Sequence, residues 1–219
     1  MNFSNVRILS LITPLIILLS LTGCQSAYYS TMEKFGVHKR DIMVDRVSEA
    51  RDSQEEAKEQ FASALERFSS VLDFKGGTLE EKYKKVKAEL DQSEKKARDV
   101  HKRIAAVEDV SEALFDEWED ELDQYSSASL RQSSKRQLDQ TKKEYTKLIA
   151  AMKKAESKID PVLRPLRDQV LYLKHNLNAR AISSLQSELV HIETDVTVLI
   201  KEMEAAIREA DSFIRTLAK

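Results

Sequence analysis

Few residues in this chain have the types and spacing needed for catalysis. Glu188 and His191 match the Glu-x-x-His pattern of di-iron helical bundles, but such sites use two copies and the chain has one. Gly76-Gly77 lacks the Gly-Lys-Ser/Thr of a phosphate-binding loop, and there is no Gly-x-Ser-x-Gly elbow. The histidines are not spaced like metal ligands; they are His38, His101, His175 and His191. The sequence therefore predicts a protein that is not an enzyme and has no metal and no cofactor.

Cys24 offers a different chemistry, because it is the only cysteine in the chain. A single cysteine excludes an internal disulfide and a cysteine-based metal site. It follows a leader with one charge, Arg7, and an apolar run from Ile8 to Leu21. That run is typical of a signal peptide and is shorter than the roughly 20 residues that span a membrane. An uncleaved membrane anchor is the alternative.

The residues around Cys24 resemble the lipobox of bacterial lipoproteins, with Leu21, Thr22 and Gly23 before the cysteine. This resemblance implies that Cys24 carries acyl chains, palmitate among them, and becomes the first residue of the mature protein. Two or more acyl chains give stable anchoring. Gln25, rather than Asp, follows the cysteine and resembles the outer-membrane sorting pattern. The resemblance thus implies a Gram-negative outer-membrane protein on the periplasmic side, with the membrane as a partner.

The composition after the leader favours long helices. One third of all residues (33%) are charged, only 6% are aromatic, and there are just 4 glycines and 3 prolines, which leaves few places for tight turns. A net charge of −2 does not suggest a nucleic-acid partner. No small-molecule substrate is indicated either.

Apolar residues recur at alternating spacings of four and three, which predicts helices that pack along one seam. Gln54 is the one polar residue in the first seam. The pattern predicts an all-α, elongated antiparallel bundle or coiled coil of three to four long helices, running up-down-up-down. Residues 1–23 form the signal peptide, and residues 24–219 form one domain with helices at about 27–74, 78–126, 129–177 and 180–217.

Two features leave alternatives open in the second half of the domain. Pro161 and Pro165 predict a kink near residues 161–165, or a new helix with Pro161 in its first turn. Asn176 and Asn178 predict a turn, since asparagine tolerates left-handed backbone. Without that turn, the last two helices merge and the bundle is three-stranded for much of its length.

Charges are grouped in blocks on either side of the second connection. Residues 108–123 hold nine acids and no Lys or Arg, whereas residues 131–158 hold nine bases and three acids. In one reading, the two blocks face each other across a hairpin, and their ion pairs select the register of the two helices. In the other reading, each block is the solvated face of its own helix. A third reading is that a basic face contacts anionic lipid. Its residues would be Lys142, Lys143, Lys147, Lys153 and Lys154.

Aromatic residues also fall unevenly along the chain. Tyr28 and Tyr29 follow the anchor, and Trp118 and Tyr125 lie near the second connection. In an antiparallel bundle both groups lie at the membrane-proximal end. We expect Tyr28 and Tyr29 at the lipid headgroups, where such rings are favoured, and Trp118 in the core.

Several stretches together resemble an uncharacterised, all-helical lipoprotein family of gamma-proteobacteria. They are residues 28–29, 32–34, 39–42, 44–47, 57–61, 115–118 and 168–180. The resemblance implies no assigned activity and carries over no functional residues. The last stretch has more polar detail than packing requires, which makes it a candidate surface for a protein partner or for self-association. Its candidate residues are Asp168, Gln169, His175, Asn176, Asn178 and Arg180.

These observations favour a lipid-anchored, non-enzymatic scaffold, spacer or adaptor that acts through its long helices. The alternative is a peripheral lipid-binding or membrane-shaping bundle, and a periplasmic enzyme is the least supported interpretation.

Overall fold

The computed structural model describes Tyr29, Met32 and residues 36–73, 78–176 and 179–217, with side chains given except at 71–73 and 179–187. This part of the chain is helical and contains no strand, which confirms the predicted all-α fold. Its five helices are α1 (Lys39–Asp73), α2 (Leu79–Leu122), α3 (Ala128–Glu156), α4 (Ile159–His175) and α5 (Ala179–Leu217).

The helices form a four-sided bundle in which α3 and α4 together make one side. Helix α1 packs against α2 and α5, and both α3 and α4 pack against α2 and α5. Lys96 pairs with Glu56 and Arg103 pairs with Glu49, so residue numbers rise along α2 as they fall along α1. Neighbouring helices are therefore antiparallel. At 1.5 Å per residue, the 44 residues of α2 span about 66 Å.

The core follows the predicted seams and extends beyond them. In α1, the seam from Met43 to Phe68 is buried, including the polar Gln54. Helix α2 also buries Val110, Phe115 and Leu122, which lie outside its predicted seam. A bundle helix packs against two neighbours, so its buried stripe is wider than the narrow seam of a two-helix coiled coil. The sequence pattern alone missed these flanking positions.

The break in the third side of the bundle lies earlier than predicted. Helix α3 ends at Glu156 and α4 begins at Ile159, so the interruption is at Ser157 and Lys158, not at residues 161–165. The ring of a proline clashes with the carbonyl four residues before it, which for Pro161 is Ser157. Pro161 thus lies in the first turn of α4, as in the alternative reading, and Pro165 is tolerated inside the helix.

The first helix is not continuous from residue 27. Gly36 has a φ of +80°, and the Val37 N–H donates to the Met32 carbonyl at 3.1 Å. A hydrogen bond from a residue to the carbonyl five positions earlier, across a glycine with left-handed backbone, is typical of a Schellman helix ending. Helix α1 then begins at Lys39. Tyr29 is only 5% exposed and belongs to the core, so its predicted place at the lipid headgroups was wrong. Tyr28 lies outside the described residues.

Capping side chains mark several helix ends, and α2 ends at Leu122, about four residues before its predicted end at 126. Thr78 and Glu81 form a reciprocal capping box at the start of α2, and the Ser127 hydroxyl caps α3. Asn176 has non-helical backbone angles and ends α4. Helices α4 and α5 therefore remain separate, and the three-stranded alternative is wrong.

Candidate interaction surface

Helix α4 has an apolar inner face and, among the charged residues of its outer face, two exposed apolar side chains. Its inner face is buried against α2 and α5 through Leu166, Val170 and Leu173. Its outer face carries Leu171 and Tyr172, and Leu171 is 58% exposed. Contiguous exposed apolar surface marks interaction sites more often than single scattered residues do, and these two residues are neighbours.

Polar groups flank this exposed pair at helical spacing. Asp168 lies one turn before Leu171 and Tyr172, and His175 lies one turn after them; both are exposed. Residues three and four apart share a helix face, so these four side chains form one stripe. An apolar centre with polar ends is the arrangement typical of a protein-binding surface.

The outer side of α5 also carries exposed apolar residues, beside the exposed acid Glu193. Val190 is 65% exposed, and Val198 is exposed two turns later on the same face. There is no Lys or Arg between residues 181 and 200. We define the α4–α5 surface as the exposed side chains of two consecutive helices: Asp168, Leu171, Tyr172, His175, Val190 and Val198.

The other residues predicted for a partner surface have mixed positions. Gln169 is half-buried, and its side-chain oxygen has no hydrogen-bond partner among the described residues. Asn176 caps α4, and its side-chain amide donates to the Tyr172 carbonyl at 3.1 Å. Asn178 and the side chain of Arg180 lie outside the described residues. The apolar residues at the centre, Leu171 and Tyr172, were missed because their positions looked like ordinary helix surface.

Ion pairs fix α4 on α2. Arg167 pairs with Glu94 of α2 at 2.6 Å and with Asp160 of its own helix at 3.2 Å, while Arg164 also bonds Asp160 at 2.6 Å. The hydrogen bond from Arg164, with help from Arg167, lowers the pKa of Asp160. The bond to Glu94 raises the pKa of Arg167. Of these pairs, only Arg167–Glu94 links α4 to α2, and it adds to the buried apolar contacts of the inner face.

A cleft of about 510 Å³ lies beside this cluster, where the break between α3 and α4 faces α2. Its apolar lining comes from Ala97, Ile159 and Leu163, and the His101–Glu156 pair lies at its rim. Within the described ranges, no group of three or more His, Cys, Asp and Glu could hold a metal ion. Glu188 is half-buried and His191 is exposed.

The lysines considered for lipid contact mostly pair within the bundle. Lys142 bonds Glu119 at 2.7 Å and lies 5.4 Å from the ring centre of Phe115. The pairs Lys153–Glu108, Lys154–Glu202 and Lys147–Glu144 also form, and these three lysines are exposed, as Lys143 is. The Lys142 and Lys153 pairs join the basic block of α3 to the acidic block of α2, as one reading of the charge pattern predicted.

An aromatic cluster sits beneath these pairs. Tyr145 of α3 makes edge contacts with Phe115 of α2 and Phe213 of α5, at 5.4 and 6.5 Å between ring centres. Burial is the main cause that raises the pKa of Tyr145. Trp118 is half-buried, and its indole N–H donates to the Ser134 hydroxyl at 2.8 Å. These contacts bind three sides of the bundle together.

Leu21, Thr22, Gly23 and Cys24 lie outside the described residues. None of the helices in the described part of the chain is both long and apolar enough to cross a bilayer.

Comparison with known proteins places the chain in a family. A family model described as "Protein of unknown function (DUF2959)" matches residues 28–217. No curated protein gives a significant match. The match covers the whole bundle and confirms the expectation of an uncharacterised helical family. The chain therefore belongs to the DUF2959 family.

Proposed function

We propose that this protein is a lipoprotein, acylated at Cys24, on the periplasmic side of the outer membrane. It acts as a non-enzymatic adaptor that binds a protein partner through the α4–α5 surface. The lipobox-like residues around Cys24 support the anchor. The exposed pair Leu171 and Tyr172 carries the proposal for partner binding.

The rigidity of α4 makes this pair suited to binding. Its inner face is buried, and Arg167 ties it to Glu94 of α2, so little conformational freedom is lost when a partner docks. Tyrosine is enriched among the residues that dominate binding energy, because it buries a large area with few rotatable bonds. The partner we expect has an apolar surface bordered by polar groups.

The lipid-binding alternative receives less support. Four of the five lysines considered for a basic face pair with carboxylates of the bundle. Contact with anionic headgroups would compete with those pairs. The protein-binding reading needs no such rearrangement.

Site-specific photo-crosslinking in intact cells tests the adaptor role. A crosslinking residue replaces Tyr172 in one variant and Ala105, which is exposed on α2, in a control variant. We expect a discrete protein adduct from position 172 only, and its yield should fall about tenfold when Leu171→Asp is added, as for a binding hot spot. Ala105→Asp is the matched surface change and should leave the adduct intact.

Two results would overturn the adaptor proposal. One is an adduct yield at position 172 no greater than at position 105. The other is an adduct that survives Leu171→Asp. If the adduct contains only a second copy of this chain, self-association replaces the adaptor role.

The anchor has its own test. Intact-mass measurement of the protein extracted from membranes should show a mature chain that starts at an acylated Cys24. Cys24→Ser should release the protein from the membrane fraction. A free thiol at Cys24 in the membrane-bound protein contradicts the proposal.

A further inference from the structure

The connection between α2 and α3 is an exposed, uncharged tip in a highly charged protein. We define the α2–α3 tip as residues 124–130, whose sequence is Gln-Tyr-Ser-Ser-Ala-Ser-Leu. Tyr125 is 41% exposed and Leu130 is 59% exposed. Just outside the tip, Arg131 and Asp123 pair with each other, so the nearest charges are also neutralised. Solubility alone does not require a Tyr and a Leu here.

The tip projects from the end of the bundle at which α1 begins. Lys39, the first residue of α1, pairs with Glu117 of α2 at 2.7 Å, and the Arg40 guanidinium donates to the carbonyl of Leu217 at the end of α5. Helix α2 continues five residues past Glu117 to Leu122, or about 8 Å. The tip therefore lies beyond the ends of α1 and α5.

The chain keeps Cys24 close to the folded body. Tyr29 is buried in the core, and only five residue steps separate it from Cys24. A fully extended chain of that length spans at most about 18 Å. Any membrane anchor on Cys24 must therefore hold the bundle near the bilayer. Tyr29 lies ten residues before Lys39, the start of α1, which pairs with α2 close to the tip.

We infer that the α2–α3 tip is a membrane-contact surface that rests in the headgroup region of a phospholipid bilayer; this rests on the proposed acylation of Cys24. Tyrosine is favoured at this depth, and Leu130 gains from burial against acyl chains. Serine hydroxyls and the Gln124 amide remain hydrogen-bonded to headgroups and water. Since the tip has no charge to desolvate and none to attract anionic lipid, contact does not depend on lipid charge.

This contact orients the bundle and places the α4–α5 surface away from the membrane. Glu94, the partner of Arg167, lies 28 residues along α2 from Leu122, or about 42 Å. Helix α4 runs antiparallel to α2, so Leu171 and Tyr172, which come after Arg167, lie farther from the tip than Arg167 does. The protein then presents Leu171 and Tyr172, the centre of its partner surface, roughly 40 Å or more from the bilayer.

Fluorescent labels on single cysteines test the inference with the full-length acylated protein. Acylation blocks the Cys24 thiol, so Tyr125→Cys or Leu130→Cys supplies the only reactive site for an environment-sensitive nitrobenzoxadiazole label. Tyr172→Cys, exposed on α4, is the matched control. The vesicles consist of phosphatidylcholine, which has no net charge, and contain a lipid with a spin label in its headgroup. We expect the spin label to quench fluorescence at positions 125 and 130 about three or more times as strongly as at position 172, because it quenches only at close range.

A second variant separates contact from mere proximity. Leu130→Asp puts a charge in the tip and should reduce quenching of the label at position 125 by about half or more, since burial of a charge at the bilayer is unfavourable. Leu171→Asp should leave it unchanged. Equal quenching at 125, 130 and 172, or no response to Leu130→Asp, overturns the membrane-contact role of the tip.

The anchor and the tip fail in distinguishable ways. If the protein floats with the vesicles and its mass shows an acylated Cys24 while the tip labels are not quenched, only the tip inference fails. If Cys24 itself takes up the label, the proposed acylation fails, and the tip inference falls with it.

Discussion

The α1–α2 hairpin and the α4–α5 hairpin have the same heptad pattern inside but different outer surfaces. On α1 and α2, no large apolar side chain is exposed among the described residues, and charged pairs such as Lys96–Glu56 and Arg103–Glu49 cross between the helices. On α4 and α5, Leu171, Tyr172, Val190 and Val198 remain exposed. The first hairpin is built to be stable in water, whereas the second keeps apolar surface available.

The two hairpins also differ in their buried polar groups. Gln54 in α1 is 0% exposed, and neither of its side-chain polar atoms has a partner among the described residues. A buried amide without partners destabilises the fold. In α4, only the side-chain oxygen of the half-buried Gln169 lacks a partner among the described residues. The α1–α2 hairpin therefore buries a whole unpartnered amide, whereas the α4–α5 hairpin is distinguished mainly by its exposed apolar residues.

Truncation of one apolar residue in each hairpin should give the largest contrast. Phe61 is fully buried, so Phe61→Ala should lower the free energy of unfolding by about 3–5 kcal/mol through lost burial and a cavity. Leu171→Ala should change it by less than about 0.5 kcal/mol, since the side chain is mostly in water. Urea unfolding followed by circular dichroism measures both. A cost for Leu171→Ala as large as that of Phe61→Ala would assign Leu171 to packing and remove the basis for the partner surface.

Removal of the buried amide should stabilise the first hairpin. Gln54→Leu keeps a similar volume and eliminates two unpartnered polar atoms, so we expect the free energy of unfolding to rise by about 1–2 kcal/mol. Gln140→Leu, on the exposed surface of α3, is the matched control and should be near neutral. Destabilisation by Gln54→Leu would show that the amide has a bonding role in the folded protein.

Removal of the helix cap at each of the two hairpin connections should change stability by smaller amounts, and by different amounts. Thr78→Ala removes the hydroxyl that accepts the Glu81 N–H at 3.2 Å and keeps the backbone N–H that donates to the Glu81 carboxylate at 2.9 Å, and it should cost about 1 kcal/mol. Asn176→Ala removes one exposed amide bond at the end of α4 and should cost less than about 0.5 kcal/mol. Thermal unfolding of the two variants beside the parent protein makes the comparison. The reverse order would mean that the α4–α5 turn, rather than the α1–α2 turn, depends on its cap.

The smallest effect concerns the pH dependence of α4. Because Arg164 and Arg167 lower the pKa of Asp160, the ionised carboxylate stabilises the fold at pH values above its ordinary pKa. This contribution is lost as the pH falls through the lowered pKa. In the Asp160→Asn variant, the free energy of unfolding should therefore fall less steeply as the pH is lowered than it does in the parent protein. Asp139→Asn on α3 also removes one surface carboxylate and is the control. Acid titration followed by circular dichroism measures the slopes, and identical slopes for parent and Asp160→Asn would contradict the assignment.

Much of the candidate surface was hidden from sequence reasoning. The run at residues 168–180 drew notice for its polar residues, yet the structure puts Leu171 and Tyr172 at the centre of the exposed stripe. Sequence periodicity identifies apolar residues but does not show which face of α4 the neighbouring helices cover. That assignment depends on α2 and α5, whose contacts with α4 are distant in sequence.

The sequence by itself determined the all-helical class, the seams and most helix ends, because heptad spacing and capping residues act over a few neighbouring positions. Tertiary structure decided which side chains outside the seams are buried, that Tyr29 joins the core, and that the buried Gln54 amide meets no hydrogen-bond partner among the described residues. Each of these depends on how four sides of a bundle meet. Burial on a helix is decided by its neighbours as much as by its own residues.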